Sequence, residues 1–104
     1  MSDMDKFYAL SAPIRREILA LLSTGEPLTA TVIADKFNVS PSAISQHLKV
    51  LLNSQLVSMN KQAQQRIYEL DPLAIHEVEA WTKQMLQHFD KITKFTDKID
   101  PETI

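Results

Sequence analysis

The sequence predicts a mainly α fold of about five helices carrying one small β-hairpin. Three observations support this. The 104 residues contain a single glycine, Gly25, so the chain has few of the breakers that turns and bulges use. Apolar residues recur at helical spacing along most of the chain, and only two short stretches alternate as strands do. The longest periodic stretch lies at the C-terminal end and keeps a seven-residue repeat.

Taken in order, Met4, Phe7, Tyr8 and Leu10 give a short first helical signal. Ser11-Ala12-Pro13 breaks and restarts the chain, with Ser11 as the expected cap and Pro13 in a first turn that tolerates its missing N–H. Ile14, Ile18, Leu19, Leu21 and Leu22 then form one apolar face through about Thr24, and Gly25 is expected as the C′ residue that ends it. Thr29 is the next cap, for a helix of about two turns marked by Val32, Ile33 and Phe37. After Asn38-Val39-Ser40, the pair Ser40-Pro41 reads as an N-cap followed by proline at the first helical position. Ile44, Leu48, Leu51 and Leu52 share a face of the following helix, which runs to about Asn53 or Ser54. Two short helices joined by a tight turn form a helix-turn-helix pattern.

Leu56-Val57-Ser58-Met59 and Arg66-Ile67-Tyr68-Glu69-Leu70 alternate partly and are rich in β-branched and aromatic residues. The polar run from Asn60 to Gln65 between them makes a hairpin with a polar tip, a wing. Asp71-Pro72 closes the second strand and opens a last helix expected to run to about Ile99. Residues 1–99 are expected to form one domain and 100–104 a frayed tail.

That last helix carries a seam. Val78, Met85, Ile92 and Ile99 recur every seven residues, and Trp81, His88 and Phe95 do so in the register three later. These are a and d positions, with His88 the polar exception. A helix of roughly 27 residues spans about 40 Å, more than so small a domain covers alone. Part of the seam is therefore expected to pack on a second copy, giving a homodimer.

Composition narrows the function. There is no cysteine, which removes disulfide frameworks, thiolate metal sites and cysteine nucleophiles. Phosphate-cradling loops and oxyanion elbows lean on glycines that are missing here. No acid and base pair at a useful spacing, and His47, His76 and His88 lie on different segments or faces, so an enzyme has little support. No cofactor is called for. The acidic start, Met1-Ser2-Asp3-Met4-Asp5, has no apolar signal region, and no apolar run approaches a membrane span; a soluble cytoplasmic protein is expected.

The net charge is −2, yet its distribution is uneven. From Phe37 to Tyr68 the charged residues are Lys49, Lys61 and Arg66, with no acid. An acid-free third in an acidic chain suggests a face kept clear for an anionic partner, although chance clustering in a Gln/Ser-rich stretch would look the same.

The run Ala9-Leu10-Ser11-Ala12-Pro13-Ile14-Arg15-Arg16-Glu17-Ile18-Leu19 resembles the opening signature of ArsR-type winged-helix repressors. The run Val39-Ser40-Pro41-Ser42-Ala43-Ile44-Ser45-Gln46-His47-Leu48-Lys49-Val50-Leu51 is similar to their recognition helix. Leu56-Val57 and Arg66 to Pro72 resemble their wing and its exit, and the Trp81 to Phe89 region resembles a subgroup with a long aromatic C-terminal helix. The resemblance covers roughly residues 5 to 95. It implies a winged helix-turn-helix fold and a homodimeric, sequence-specific repressor of transcription. It places the Pro41–Ser54 helix in the major groove of double-stranded DNA, the wing near the backbone or minor groove, and the first and last helices in the dimer interface. The interface would then use Met4, Phe7, Tyr8, Val78, Trp81, Met85, His88, Phe89, Ile92 and Phe95.

The side-chain chemistry fits. With Ile44, Leu48 and Leu51 inward, Ser42, Ala43, Ser45, Gln46 and Lys49 can face out. Gln46 can pair with an adenine edge, Ser42 and Ser45 with bases or phosphates, and Ala43 with a thymine methyl. The N–H groups after Pro41 favour a phosphate. His47 is expected on DNA, with packing beside Leu48 as its other reading. Lys49, Lys61 and Arg66 would neutralise phosphates, with Gln64 at the wing tip beside them. Arg15 and Arg16 are weaker candidates, each equally readable as a solvated charge.

The chain also departs from the family. Many relatives sense metals through cysteines in the stretch matching Glu26 to Ile33, or through an Asp-x-His set on the last helix. Here Ala74 replaces the aspartate and Gln87 the second histidine, leaving Asp90 alone to match, so no metal site is expected within one subunit. His76 and His88 lie about 120° apart around a helix, so only a site across a dimer could join them. The wing tip has Ala63-Gln64 where Gly-Arg is common, and Gln55 stands where a glycine often follows the recognition helix. A different turn is expected at the tip. The alternative function is a winged helix used as a protein-interaction module. A releasing effector, whether a small molecule, a protein or none, stays open.

Overall fold

The computed structural model describes residues 5–93. Met4, Phe95, Ile99 and the 100–104 tail lie outside the described residues, as does the side chain of Ile92. The described chain runs α1 (Lys6–Ala9), α2 (Pro13–Leu22), β1 (Leu28–Thr29), α3 (Ala30–Asp35), α4 (Pro41–Asn53), β2 (Val57–Gln62), β3 (Gln65–Leu70) and α5 (Pro72–Thr93). This is a winged helix-turn-helix: α3 and α4 form the helix-turn-helix, and β2 and β3 the wing.

Capping chemistry sets most boundaries. Asp5 accepts from the Phe7 N–H at 3.1 Å, Thr29 from Val32 at 3.2 Å and Ser40 from Ala43 at 3.2 Å. Each satisfies an N–H that the first helical turn leaves without a partner. Ser11 does not cap α2. The N-cap is Ala12, with Pro13 following, and the Ser11 hydroxyl donates instead to the Tyr8 carbonyl at 2.6 Å. Gly25 has a φ of 93° but lies two residues past the C-cap Ser23, one position beyond C′.

The end of α4 is a Schellman motif. Ser54 is the C-cap, the Leu56 N–H bonds to Leu51 O at 3.0 Å, and the Gln55 N–H to Leu52 O at 3.1 Å. Gln55 supplies the left-handed residue at φ 66°, where glycine is usual. Leu51 and Leu56, the residues whose contact normally accompanies this motif, are both fully buried.

The sheet is antiparallel, in the order β1-β3-β2. β1 is too short to carry an alternation signal in the sequence. It forms because Leu28 and Thr29 pair with Tyr68 and Ile67 across β3. The wing keeps a two-residue loop, Ala63-Gln64, with Gln62 opposite Gln65. Ala63 takes φ 55°, so the tip retains a left-handed residue despite the missing glycine.

One cluster forms the core. Ile18 and Leu22 of α2, Ile33 of α3, Ile44, Leu48 and Leu51 of α4, and Leu56 are each at most 1% exposed. Val57, Tyr68 and Ala74 close it from the sheet and α5. The apolar stripes foreseen on α2 and α4 thus meet, although Val32 of α3 stays 39% exposed.

α5 departs from this core after its first turns. Ala74 is buried and Ile75 and Val78 are half-buried, but every residue from Glu79 to Phe89 is exposed. α1 secures its near part: the Phe7 and Trp81 rings lie 5.0 Å apart, tilted by 59°, and Lys6 pairs with Glu77 at 3.0 Å. Among the described residues no helix is long and apolar enough to cross a membrane.

Candidate nucleic-acid interface

α4 presents two chemically distinct faces. Ile44, Leu48 and Leu51 are buried at helical spacing and fix its rotation about its own axis. Pro41, Ser42, Ser45, Gln46 and Lys49 are therefore carried outward and exposed, while Ala43 and His47 sit at the half-buried margins. The outward face holds hydroxyl, amide and ammonium groups and no carboxylate. Such a face can donate and accept hydrogen bonds at base edges and attract phosphates.

The wing adds a second polar surface. Lys61, Gln64 and Arg66 are exposed, and Lys61 and Arg66 are cross-strand partners, so both point from the same face of the hairpin. A cleft of about 450 Å³ lies between that face and the start of α3, lined by Thr29, Ala30, Thr31, Lys61 and residues 63–66. The sequence marked Thr29 only as a helix cap and did not mark Thr31 at all. Nothing local places either beside the wing, because β1 and α3 reach it only through the sheet pairing.

Arg15 corrects the sequence reading. It is not a solvated charge available to phosphate, being only 7% exposed. Its Nε donates to Ala9 O at 2.8 Å, and a terminal nitrogen donates to Tyr8 O at 3.2 Å. The other terminal nitrogen lies 3.2 Å from His47 Nδ1. Arg16 stays exposed and donates to Leu10 O at 2.6 Å. His47 is thus neither fully outward nor packed apolar; burial first, and the Arg15 charge second, lower its pKa below 6.5.

A helix-turn-helix domain family matches residues 10–59. The chain is 34% identical over 84 residues to the transcriptional repressor SdpR of Bacillus subtilis, covering 81% of this chain and 92% of that one. Among solved structures, an ArsR family transcriptional regulator superposes with a TM-score of 0.76 at 27% identity, over 81% of this chain and 91% of that one. A possible transcriptional regulator for arsenical resistance gives 0.75 at 31% identity, over 93% and 98%. The chain belongs to the ArsR family of winged helix-turn-helix regulators. This ArsR-family member is a DNA-binding transcriptional regulator.

The ArsR-family chain leaves a broad apolar surface on α5. Trp81 is 47% exposed, Met85 48% and Phe89 42%, with Phe7 and Tyr8 of α1 at 42% and 55%. Val78 is half-buried and His88 exposed. Leu86, at 64%, lies off the heptad seam and was missed for that reason. Together with Thr82, Met85, His88 and Phe89 it lines an open groove. His76 of this regulator pairs with Glu79 at 3.3 Å, and among the described residues no three His, Asp or Glu side chains converge as a metal would need.

Proposed function

We propose that this regulator is a homodimeric repressor that reads an inverted-repeat operator in cytoplasmic DNA. The observation that carries the reading is the carboxylate-free outward face of α4, held in register by Ile44, Leu48 and Leu51. Ser42, Ala43, Ser45 and Gln46 supply the base contacts, the N–H groups after Pro41 and Lys49 meet phosphates, and Lys61, Gln64 and Arg66 hold the flanking backbone. Dimerisation uses the α5 surface around Trp81, Met85 and Phe89 together with α1. A twofold dimer sets two α4 helices about 34 Å apart, one turn of DNA, and so requires a symmetric site.

One of the similar solved structures is that of a possible regulator for arsenical resistance. Thiophilic ions take thiolate ligands and the 104 residues hold no cysteine, which supports reading this chain as a regulator that does not sense such ions through cysteines.

Selection of bound duplexes from a random pool, followed by anisotropy titration at two salt concentrations, tests the reading. The expected result is an enriched inverted repeat whose affinity drops steeply with salt. Gln46→Ala should cost about 1–3 kcal/mol at one base position in each half-site. A folded dimer that enriches nothing would overturn it in favour of a protein-interaction module.

A further inference from the structure

Arg15 is a buried charge for which DNA contact has no use, and its guanidinium joins three helices. Through Ala9 O at 2.8 Å and Tyr8 O at 3.2 Å it satisfies carbonyls at the C-terminal end of α1. It lies 5.2 Å from the centroid of the Tyr8 ring. Through His47 Nδ1 at 3.2 Å it reaches the middle of α4, one residue from Gln46. α1 is in turn fixed to α5 by the Phe7–Trp81 contact and the Lys6–Glu77 pair.

The Arg15–His47 bond has a chemical condition. Arginine is a donor only, so Nδ1 must offer its lone pair, which requires a neutral imidazole protonated at Nε2. A proton on Nδ1 replaces the bond with two cations facing each other. Among the described residues, Arg15 is the one charge acting on His47. The other charged groups on elements packed against α4, namely Arg16 and Glu17 of α2, Asp35 of α3 and Lys61 of β2, are exposed, as is Lys49 on α4 itself. Lys6 of α1 is taken up by Glu77. None of these carboxylates is placed to compensate.

We propose that Arg15 is a positioning residue for DNA recognition, setting the pose of α4 against α1 through neutral His47, so that protonating His47 loosens base discrimination while electrostatic DNA binding persists. Base reading tolerates displacements of only about 0.5 Å, whereas phosphate attraction is insensitive to such shifts. The lowered basicity of His47 keeps the contact intact at neutral pH. The inference rests on α4 being the DNA-reading helix.

The test uses the full chain, with the selected operator and a scrambled duplex of equal length, titrated between about pH 8 and pH 5 at constant ionic strength. The readout is the ratio of the two affinities, which cancels the general gain in charge on acidification. The wild-type ratio should fall by about fivefold or more, the scale of one weakened hydrogen bond to a charged group. His47→Gln, whose amide oxygen still accepts from Arg15 but takes no proton, should hold its ratio across the range. Arg15→Lys should lower the ratio already at pH 8 with scrambled-duplex affinity unchanged. Should Arg15→Lys fail to fold, the His47→Gln comparison decides alone. A pH-independent wild-type ratio overturns the proposal, and so does an unchanged pH dependence in His47→Gln. An operator affinity that rises with acid and loses that rise in His47→Gln also overturns it, by placing His47 directly on DNA. If wild type shows no preference at any pH, the DNA-reading assignment itself has failed and the inference falls with it.

Discussion

Lys61 and Arg66 stand directly opposite each other across the wing hairpin. Like charges in that position destabilise a hairpin, and the stretch from Phe37 to Tyr68 supplies no acid to offset them. The arrangement makes physical sense when an anion provides the counter-charge. Replacing Lys61 by Glu should leave the fold unchanged or raise its stability by up to about 1 kcal/mol. The same change should weaken binding to all duplexes alike. For Lys61→Ala the slope of log K against log salt should shrink by about 2, roughly one for each subunit of the proposed dimer. Thermal melts and salt-dependent anisotropy check both halves, and a slope equal to wild type would remove Lys61 from the interface.

Gln55 occupies the left-handed position of the Schellman motif with a side chain that strains it. Gln55→Gly should stabilise the protein by up to about 1 kcal/mol, which raises Tm by several degrees, roughly 4–8 °C per kcal/mol in a domain of this size. Gln55→Val should destabilise it, because a β-branched residue tolerates positive φ worst. Calorimetry on the two variants decides the sign.

Met85 and Phe89 lie one turn apart on the exposed part of α5. Met85→Glu should leave helix content unchanged while shifting sedimentation from the proposed dimer toward monomer. Operator affinity should then become steeply dependent on protein concentration, because two half-sites must be filled separately. A variant that sediments as wild type would place the interface elsewhere.

His47 also links stability to pH. Its folded pKa lies below its unfolded value near 6.5, so the unfolded chain binds the proton more readily. The contribution is complete above about pH 6.5 and is lost as pH falls through the folded pKa. Urea unfolding between about pH 8 and pH 5 should show a drop that is shallower in His47→Gln. Equal pH dependence in the two proteins would exclude His47 as its source.

Much of the architecture was legible because it is written in local chemistry. Ser40-Pro41 announces α4, Thr29 announces α3, and the apolar spacing of Ile44, Leu48 and Leu51 fixes which face of α4 turns outward. Asp71, whose carboxylate accepts from Leu73 at 3.0 Å, marks the start of α5. The resemblance to ArsR-type repressors rested partly on the same residues, in the runs 39–51 and 66–72. Two of the errors were also local in kind: Ser11 offered a hydroxyl that Tyr8 O takes, and Gly25 lies one position beyond the assumed C′.

The sequence by itself determined the helix-turn-helix, the wing and the outward polar face of α4, since periodicity, caps and composition act over a few residues. The tertiary structure decided what depends on partners far apart in the chain. β1 exists because β3 pairs with it across almost forty intervening positions. Arg15 looks like any charge beside Glu17 until α1 and α4 close around it. Gln55 and Ala63 take left-handed conformations because the helix–strand junction and the strand register impose them against the residues' own preference. Burial and hydrogen-bond partners arise from packing, and packing is not encoded at any single position.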